Sequence, residues 1–291
     1  MRRARSCFLV LASLLLAACG PLPTGRAPAG GQLNVVATFS ILGNLVQTVA
    51  ADNIQLHILV GPDGDAHTYE PIPADEVALA QASLIFENGL GFEPWLTKLY
   101  PASGSQAIRI VVTTGVTPRT IAIGAAAGAT DPHAWQDVTN TQAMVALIRD
   151  TLAAQDPALA AVYQANAAAY LQQLQDLDAY IQQQARTVPA DRRKLVTNHD
   201  SLGYFAARYG FQMMGDVLGS VSTEASQPSA AQIARLTDEI KGAGVAAIFT
   251  ENIENSAVIN QVAQEAGVTV APPLYTDALG KPGTAGTRTS R

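Results

Sequence analysis

Three histidines and one aspartate of this 291-residue chain sit in loops, where side chains can converge on a ligand. His67 lies in Gly61-Pro62-Asp63-Gly64-Asp65-Ala66-His67-Thr68-Tyr69-Glu70-Pro71 and His133 in Asp131-Pro132-His133-Ala134-Trp135. His199 lies in Asn198-His199-Asp200 and Asp277 in Tyr275-Thr276-Asp277-Ala278-Leu279-Gly280. Loops held by a rigid scaffold carry sites, whereas frameworks carry packing. Three imidazoles and a carboxylate are a full tetrahedral set for zinc, and imidazole suits late first-row divalent ions. Each residue also has a plainer reading. His67 could be a turn residue beside Tyr69, His133 a capping or packing residue beside Trp135, His199 the cap of the next helix, and Asp277 part of a turn. The fourth histidine, His57, falls mid-strand in an alternating pattern and reads as a surface or lobe-packing residue, not a ligand.

The elements that must position these loops alternate between two periodicities. Leu33–Ala37, Gln55–Val60, Leu84–Phe86 and Ile108–Val112 are strand-like, with helices expected from about Ser40 to Ala50 and over Ala74–Ala82. After residue 190 the rhythm resumes. Strands are expected at Lys194–Thr197, Val245–Phe249 and Val268–Val270, with an extended segment at Phe211–Val217. Helices are expected over Leu202–Tyr209, Ser229–Lys241 and Ser256–Ala266. Such alternation predicts parallel α/β sheets, and ligands of open α/β sheets bind beyond the carboxyl ends of the strands. His67 falls seven residues after Val60, His199 two after Thr197 and Asp277 seven after Val270. His133 falls between an Ala/Gly run and a helix starting near Thr139, so two candidates from each half can face one edge.

Between the halves, Asp156-Pro157 is a good helix start, an aspartate that can cap followed by proline at the first helical position. Leu159, Tyr163, Tyr170, Leu171, Leu174, Leu177 and Ile181 recur near the helical period, and neither glycine nor proline intervenes before Pro189. One helix of about 30 residues, roughly 45 Å long, would cross from one lobe to the other. The alternative is two helices broken near Asn166.

The amino terminus reads as an export signal. Arg2, Arg3 and Arg5 precede an apolar run, Phe8–Ala18, too short for the roughly 20 residues that span a bilayer. It ends in Leu16-Ala17-Ala18-Cys19-Gly20, which resembles a bacterial lipobox, making 1–18 the signal peptide and Cys19 the lipidated residue. An ordinary signal with a chance cysteine is the alternative. Cys7 leaves with the signal, so no internal disulfide is expected. Pro21–Gly31, rich in Pro, Gly and Ala, reads as a tether. The formal charge is −6, and without the three signal arginines 15 basic residues face 24 acidic ones, which argues against nucleic acid as a partner.

Gly61–Pro71, Asp131–Trp135, Thr197–Tyr209 and Tyr275–Gly280 together resemble the zinc- and manganese-binding lipoproteins of bacterial ABC importers, the ZnuA/TroA/PsaA-like solute-binding proteins. The resemblance runs from Leu33 to about Gly280, with its four motifs in order. It implies two Rossmann-like α/β lobes, 32–155 and 189–291, joined by one long rigid helix, 156–188, with the metal in the cleft. It implies His67, His133, His199 and Asp277 as ligands, an ABC permease as partner, and a monomer carried outside the cytoplasmic membrane by a lipid anchor at the head of a 19–31 tether. The third ligand position is histidine here, where manganese-preferring relatives usually have glutamate, which favours Zn2+ over Mn2+. The histidine-rich loop of many zinc-specific members is absent, since Gly115–Thr130 is mainly Gly, Ala and Thr. The family normally closes with a helix after the last ligand; Lys281–Arg291 does not read as one, so a truncated C-terminal lobe is expected.

Two other classes compete. A zinc hydrolase would leave one coordination position open for an activated water and need a base. Glu70 is the one obvious acid in the first motif, no His-Glu-x-x-His helix exists, and Asp277 would fill the open position. A surface adhesin would fit an exported lipoprotein and could coexist with metal binding, though no residue pattern supports it directly.

Overall fold

The computed structural model describes residues 31–121, 127–224, 228–253, 257–284 and 286–287. The signal peptide, Cys19 and the tether up to residue 30 lie outside the described residues, as do 122–126 of the Gly/Ala/Thr stretch. The first half is a four-stranded parallel sheet in the order β2-β1-β3-β4. Its strands are β1 (Leu33–Phe39), β2 (Ile54–Val60), β3 (Leu84–Glu87) and β4 (Ile108–Val111). Strands β1 and β3 sit centrally and are apolar on both faces, as parallel strands covered by helices must be. Helix α1 (Ser40–Ala50) buries Leu42, Leu45, Val46 and Val49, a stripe at helical spacing. Helix α2 (Pro73–Gln81) starts at a proline with the Asp75 carboxylate accepting from the Ile72 N–H. Helix α3 (Leu96–Ala102), which the sequence pattern does not announce, is two turns long and carries Pro101 in its last turn.

A short antiparallel pair, β5 (Arg119–Thr120) and β6 (Thr130–Asp131), leads to α4 (Val138–Gln155), where Asp137 caps by accepting from the Thr139 N–H. The long helix follows as α5 (Ala160–Thr187), preceded by a 3-10 turn over Pro157–Leu159 that delays its start. Its 28 residues run unbroken through Asn166, whose Nδ2 donates to the Val49 carbonyl. Tyr163, Ala167, Leu174 and Ala185 form its buried stripe within the first half's main core. Farther along, Asp178 receives both Nε and Nη2 of Arg208 from α6 (Gly203–Tyr209), so the helix grips both halves.

In the second half β7 (Lys194–Thr197) pairs in parallel with β8 (Gln212–Asp216), and β9 (Ala247–Glu251) with β10 (Thr269–Leu274). Helix α7 (Ala230–Ala243) and helix α8 (Ala257–Ala266) pack on one face around Leu236, Ile240, Ile248, Ile259 and Val262. The expected cap is present, with Ser229 Oγ accepting from the Gln232 N–H. Where one continuous sheet would join β7 to β9, the N–H groups beyond β7 turn aside. Those of Asn198 and His199 donate to the Glu251 carboxylate at the end of β9. After β10, residues 281–284 form turns, and no helix follows among the described residues. No described helix is long and apolar enough to cross a membrane.

Candidate metal site

All four candidates meet at one buried point between the halves. His67 follows β2 by seven residues, His133 follows β6 by two, His199 follows β7 by two and Asp277 follows β10 by three, each past the carboxyl end of its strand. His67 is 2% exposed and the others 0%. Asp277 Oδ2 lies 3.2 Å from His67 Nε2, 3.5 Å from His133 Nε2 and 3.0 Å from His199 Nε2. His133 Nε2 is 3.3 Å from both other Nε2 atoms. A tetrahedron with arms of about 2.0–2.1 Å has edges of about 3.3–3.4 Å, so these separations suit four ligand atoms around one ion. His57 is elsewhere, half-exposed on β2, with Nε2 4.0 Å from Asp75 Oδ1.

The atoms behind the four candidates set their chemistry. Asp131 Oδ1 lies 2.8 Å from His133 Nδ1, and Glu251 Oε2 lies 3.1 Å from His199 Nδ1. A proton held on Nδ1 by a carboxylate leaves Nε2 as a bare lone pair. Two such lone pairs, with His67 Nε2 and the Asp277 carboxylate beside them, repel one another unless a cation or protons lie among them. Asp277 Oδ1 is also buried without a hydrogen-bond partner among the described residues, a cost that a cation would remove.

The titration of the site reflects this crowding. Burial lowers His67 below its usual value. For His133 burial works the same way, but the Asp277 and Asp131 carboxylates outweigh it and raise the imidazole to about 9. Burial opposes protonation of His199 as well, yet Glu251 and Asp277 raise it well above the usual range. Asp277 is pushed down despite its burial by His133 and His199.

Further residues hold the four candidates in place. Glu251 accepts from the Asn198 and His199 N–H groups, from Ser201 Oγ and from Thr276 Oγ1, so one carboxylate fixes the loops of both His199 and Asp277. Arg119 Nη1 donates to Asp131 Oδ2 at 2.7 Å. This pair tucks against α6 at Gly203, where a Cβ would clash with the Arg119 guanidinium. Trp135 Nε1 and Gln136 Nε2 both donate to the Thr276 carbonyl, one residue before Asp277. Phe92 packs edge-on against His67 with centroids 4.7 Å apart, and Trp135 against His133 at 5.4 Å, keeping the site dry. In the first half Glu93, raised by burial to about 7, accepts from Thr38 Oγ1 and from the Asn88 and Gly89 N–H groups. Asn88 in turn donates to the Pro132 carbonyl beside His133.

Sequence reasoning passed over Asp131, Glu251 and Glu93 as supports. Glu251 had a usable signal, an acid at the carboxyl end of a buried strand, and Asp131 stands two residues before a candidate ligand. Glu93 had none beyond lying among glycines and prolines.

Residues 35–289 match the family model described as the periplasmic zinc-uptake complex component A, ZnuA. The chain is 35% identical to the manganese-binding lipoprotein MntA of Halalkalibacterium halodurans, over 95% of this chain and 91% of that one. It is 33% identical to the zinc-binding protein TroA of Treponema pallidum, over 98% and 93% of the two chains. The solved structure of the periplasmic zinc-binding protein TroA from Treponema pallidum superposes with a TM-score of 0.79 at 30% identity, covering 88% of this chain and 93% of that one. A manganese-bound periplasmic metal-binding protein from Candidatus Liberibacter asiaticus superposes with a TM-score of 0.75 at 27% identity, covering 86% and 91%.

Proposed function

The chain belongs to the ZnuA family, the substrate-binding receptors of metal ABC transporters and not enzymes, and from that premise we propose that it captures Zn2+ outside the membrane and delivers it to the permease. His67, His133, His199 and Asp277 are the ligands in this reading, His133 and His199 made more basic by Asp131 and Glu251. One observation carries it: three Nε2 atoms and one carboxylate oxygen converge, buried, at 3.0–3.5 Å along the five edges given above. The reading takes 1–18 as the signal, Cys19 as the lipidated residue, 32–155 and 189–291 as the lobes, 156–188 as the connecting helix, and a monomer as the working unit. It sets the hydrolase aside because Asp277 occupies the position that an attacking water would need.

Manganese is the second reading, and one atom favours it. The unpartnered Asp277 Oδ1 is a ready fifth donor, and Mn2+ accepts more oxygen ligands than zinc's tetrahedral site does. Against it stands the third histidine, since imidazole in place of a carboxylate favours the later metal.

Metal content decides between them. A protein starting after Cys19, equilibrated with equal zinc and manganese and then dialysed, should retain one zinc per chain by mass spectrometry. His199→Ala should lose it. Retained manganese would move the assignment to the second reading, and no retained metal would overturn both.

A further inference from the structure

The loop that carries His67 also holds the two halves together, through residues no metal-ligand role explains. Asp63 adopts φ +55, the left-handed region, in the turn closed by the Gly64 N–H donating to the Gly61 carbonyl. Asp and Asn tolerate that region better than most residues. From this position Asp63 reaches the second half in three ways. Its N–H donates to the Leu279 carbonyl at 2.8 Å. Its Oδ1 accepts from Asn252 Nδ2 at 3.0 Å, just beyond β9. Its Oδ2 lies 3.9 Å from Lys281 Nζ. Leu279, gripped at its carbonyl, also donates its N–H to Ser40 Oγ at the start of α1. Asp277 is therefore mounted between Thr276, held by Trp135 and Gln136, and Leu279, held by Asp63 and Ser40. All four of those partners belong to the first half.

A second grip lies just ahead of His67 in the same loop, where Thr223 Oγ1 donates to Asp65 Oδ2 at 2.6 Å. Asp65 Oδ1 receives the His67 N–H. Beside this contact a cavity of about 670 Å³ reaches His67 between Trp95, Lys98 and Glu224. His67 is the one ligand with any exposure, so this side is where the closed site comes nearest to solvent.

The geometry points to Asp63 as a positioning residue, a clasp that seats the Asp277 loop against the His67 loop and sets how fast the bound ion leaves. It rests on the metal-receptor reading. Asp63 touches no ion; it acts through Leu279 and Asn252. Its contacts span the halves and exist only while the two loops are together, so their loss should speed release and leave capture alone. Lys281 is exposed and its pair long, so the hydrogen bond from Asn252 matters more than the charge.

The test measures zinc transfer from the loaded protein to a chromophoric chelator, alongside the zinc association rate and the bound stoichiometry. Asp63→Gly keeps the left-handed backbone and the N–H bond to Leu279 but deletes the carboxylate. It should release zinc about tenfold faster, the weight of roughly one well-made hydrogen bond, with association and stoichiometry unchanged. Asp63→Asn keeps an acceptor for Asn252 and should release near the wild-type rate. Thr223→Val, which leaves the His67 loop intact, should speed release about fivefold. A wild type that binds zinc, with Asp63→Gly releasing at the wild-type rate, overturns the clasp alone. Loss of zinc stoichiometry in Asp63→Gly overturns it too, by showing a binding role instead. A wild type that holds no zinc overturns the receptor reading, and the clasp falls with it.

Discussion

The two halves share a rhythm of strands and helices but not a degree of consolidation. In the first half, four strands are hydrogen-bonded into one sheet, with a large core on one face and a smaller one of Leu59, Leu79, Ile85, Leu96 and Leu99 on the other. The core on α5's side runs into that helix, so the long helix belongs to the first half more than to the second. The second half is two strand pairs whose seam is partly closed by the Glu251 side chain instead of by backbone. A platform of this kind can hold His67 and His133 in place while the lighter half brings His199 and Asp277 to them. The difference teaches that the site is part of what completes the second half.

Core truncations put the largest strain on that contrast. Phe86 is 0% exposed in the first half and Ile248 is 0% exposed in the second. Phe86→Ala should cost about 3–5 kcal/mol and Ile248→Ala about 2–5 kcal/mol. In urea, metal-free Ile248→Ala should show an early transition confined to the second half, which added zinc moves toward the main one by mass action. A single transition, shifted alike by both substitutions and with no early phase in either, would break the comparison.

The carboxylates behind His133 and His199 come next. Glu251 supports two loops of the weaker half, whereas Asp131 has Arg119 as a second partner. Removing such a support typically costs about 10–100-fold in metal affinity. Glu251→Gln should fall toward the upper end and Asp131→Asn toward the lower, measured by competition with a calibrated chelator. Equal losses would mean that the seam contributes nothing to binding.

pH sharpens the same point. With His133 raised to about 9, the site carries a proton that an ion bound there would have to displace. Zinc affinity should therefore climb with pH up to about 9, not level off near 7, and an affinity flat from pH 5 to 8 would contradict histidine ligation. The stability of the metal-free fold runs the other way. A histidine whose folded value exceeds its unfolded 6.5 adds stability that is complete below about 6.5 and is lost as pH rises through about 9. Melting temperatures of loaded and metal-free protein should accordingly separate as pH rises.

Much of this was legible from residues alone, for definable reasons. The strands of the first half are apolar on both faces, so β1 and β3 could be read from short runs, and α1 from its 42, 45, 46, 49 stripe. The chain's histidines other than His57, and Asp277, stood in loops after strands, and the structure gathers all four. What could not be read was cooperative. Helix α3 is short and ends over a proline, so no periodicity marks it. The 3-10 turn at Pro157–Leu159 depends on packing against α4 and α5, whereas the unbroken 28-residue α5 agrees with the helix of about 30 residues expected from its spacing. The interruption between β7 and β9 follows from where Glu251 places its oxygens, a choice no local pattern encodes.

The smallest effect expected concerns how the long helix holds the weaker half. Arg208 gives both Nε and Nη2 to Asp178 at 2.7 and 2.6 Å and lies 3.2 Å from Asp137, with roughly a quarter of its side chain exposed. The Asp178 carboxyl is held below its usual value, first by Arg208, and also accepts from Tyr209. A bidentate, partly buried pair is stronger than an exposed one but still weak beside a core residue, so Arg208→Ala should cost about 1 kcal/mol. The direction of the loss is the informative part. If α5 is a strut of the first half from which α6 hangs, hydrogen exchange should quicken in α6 and β7 while α4 and α5 stay protected. Faster exchange along α5 itself would mean that the helix depends on the second half, and the division of labour between the halves would have to be redrawn.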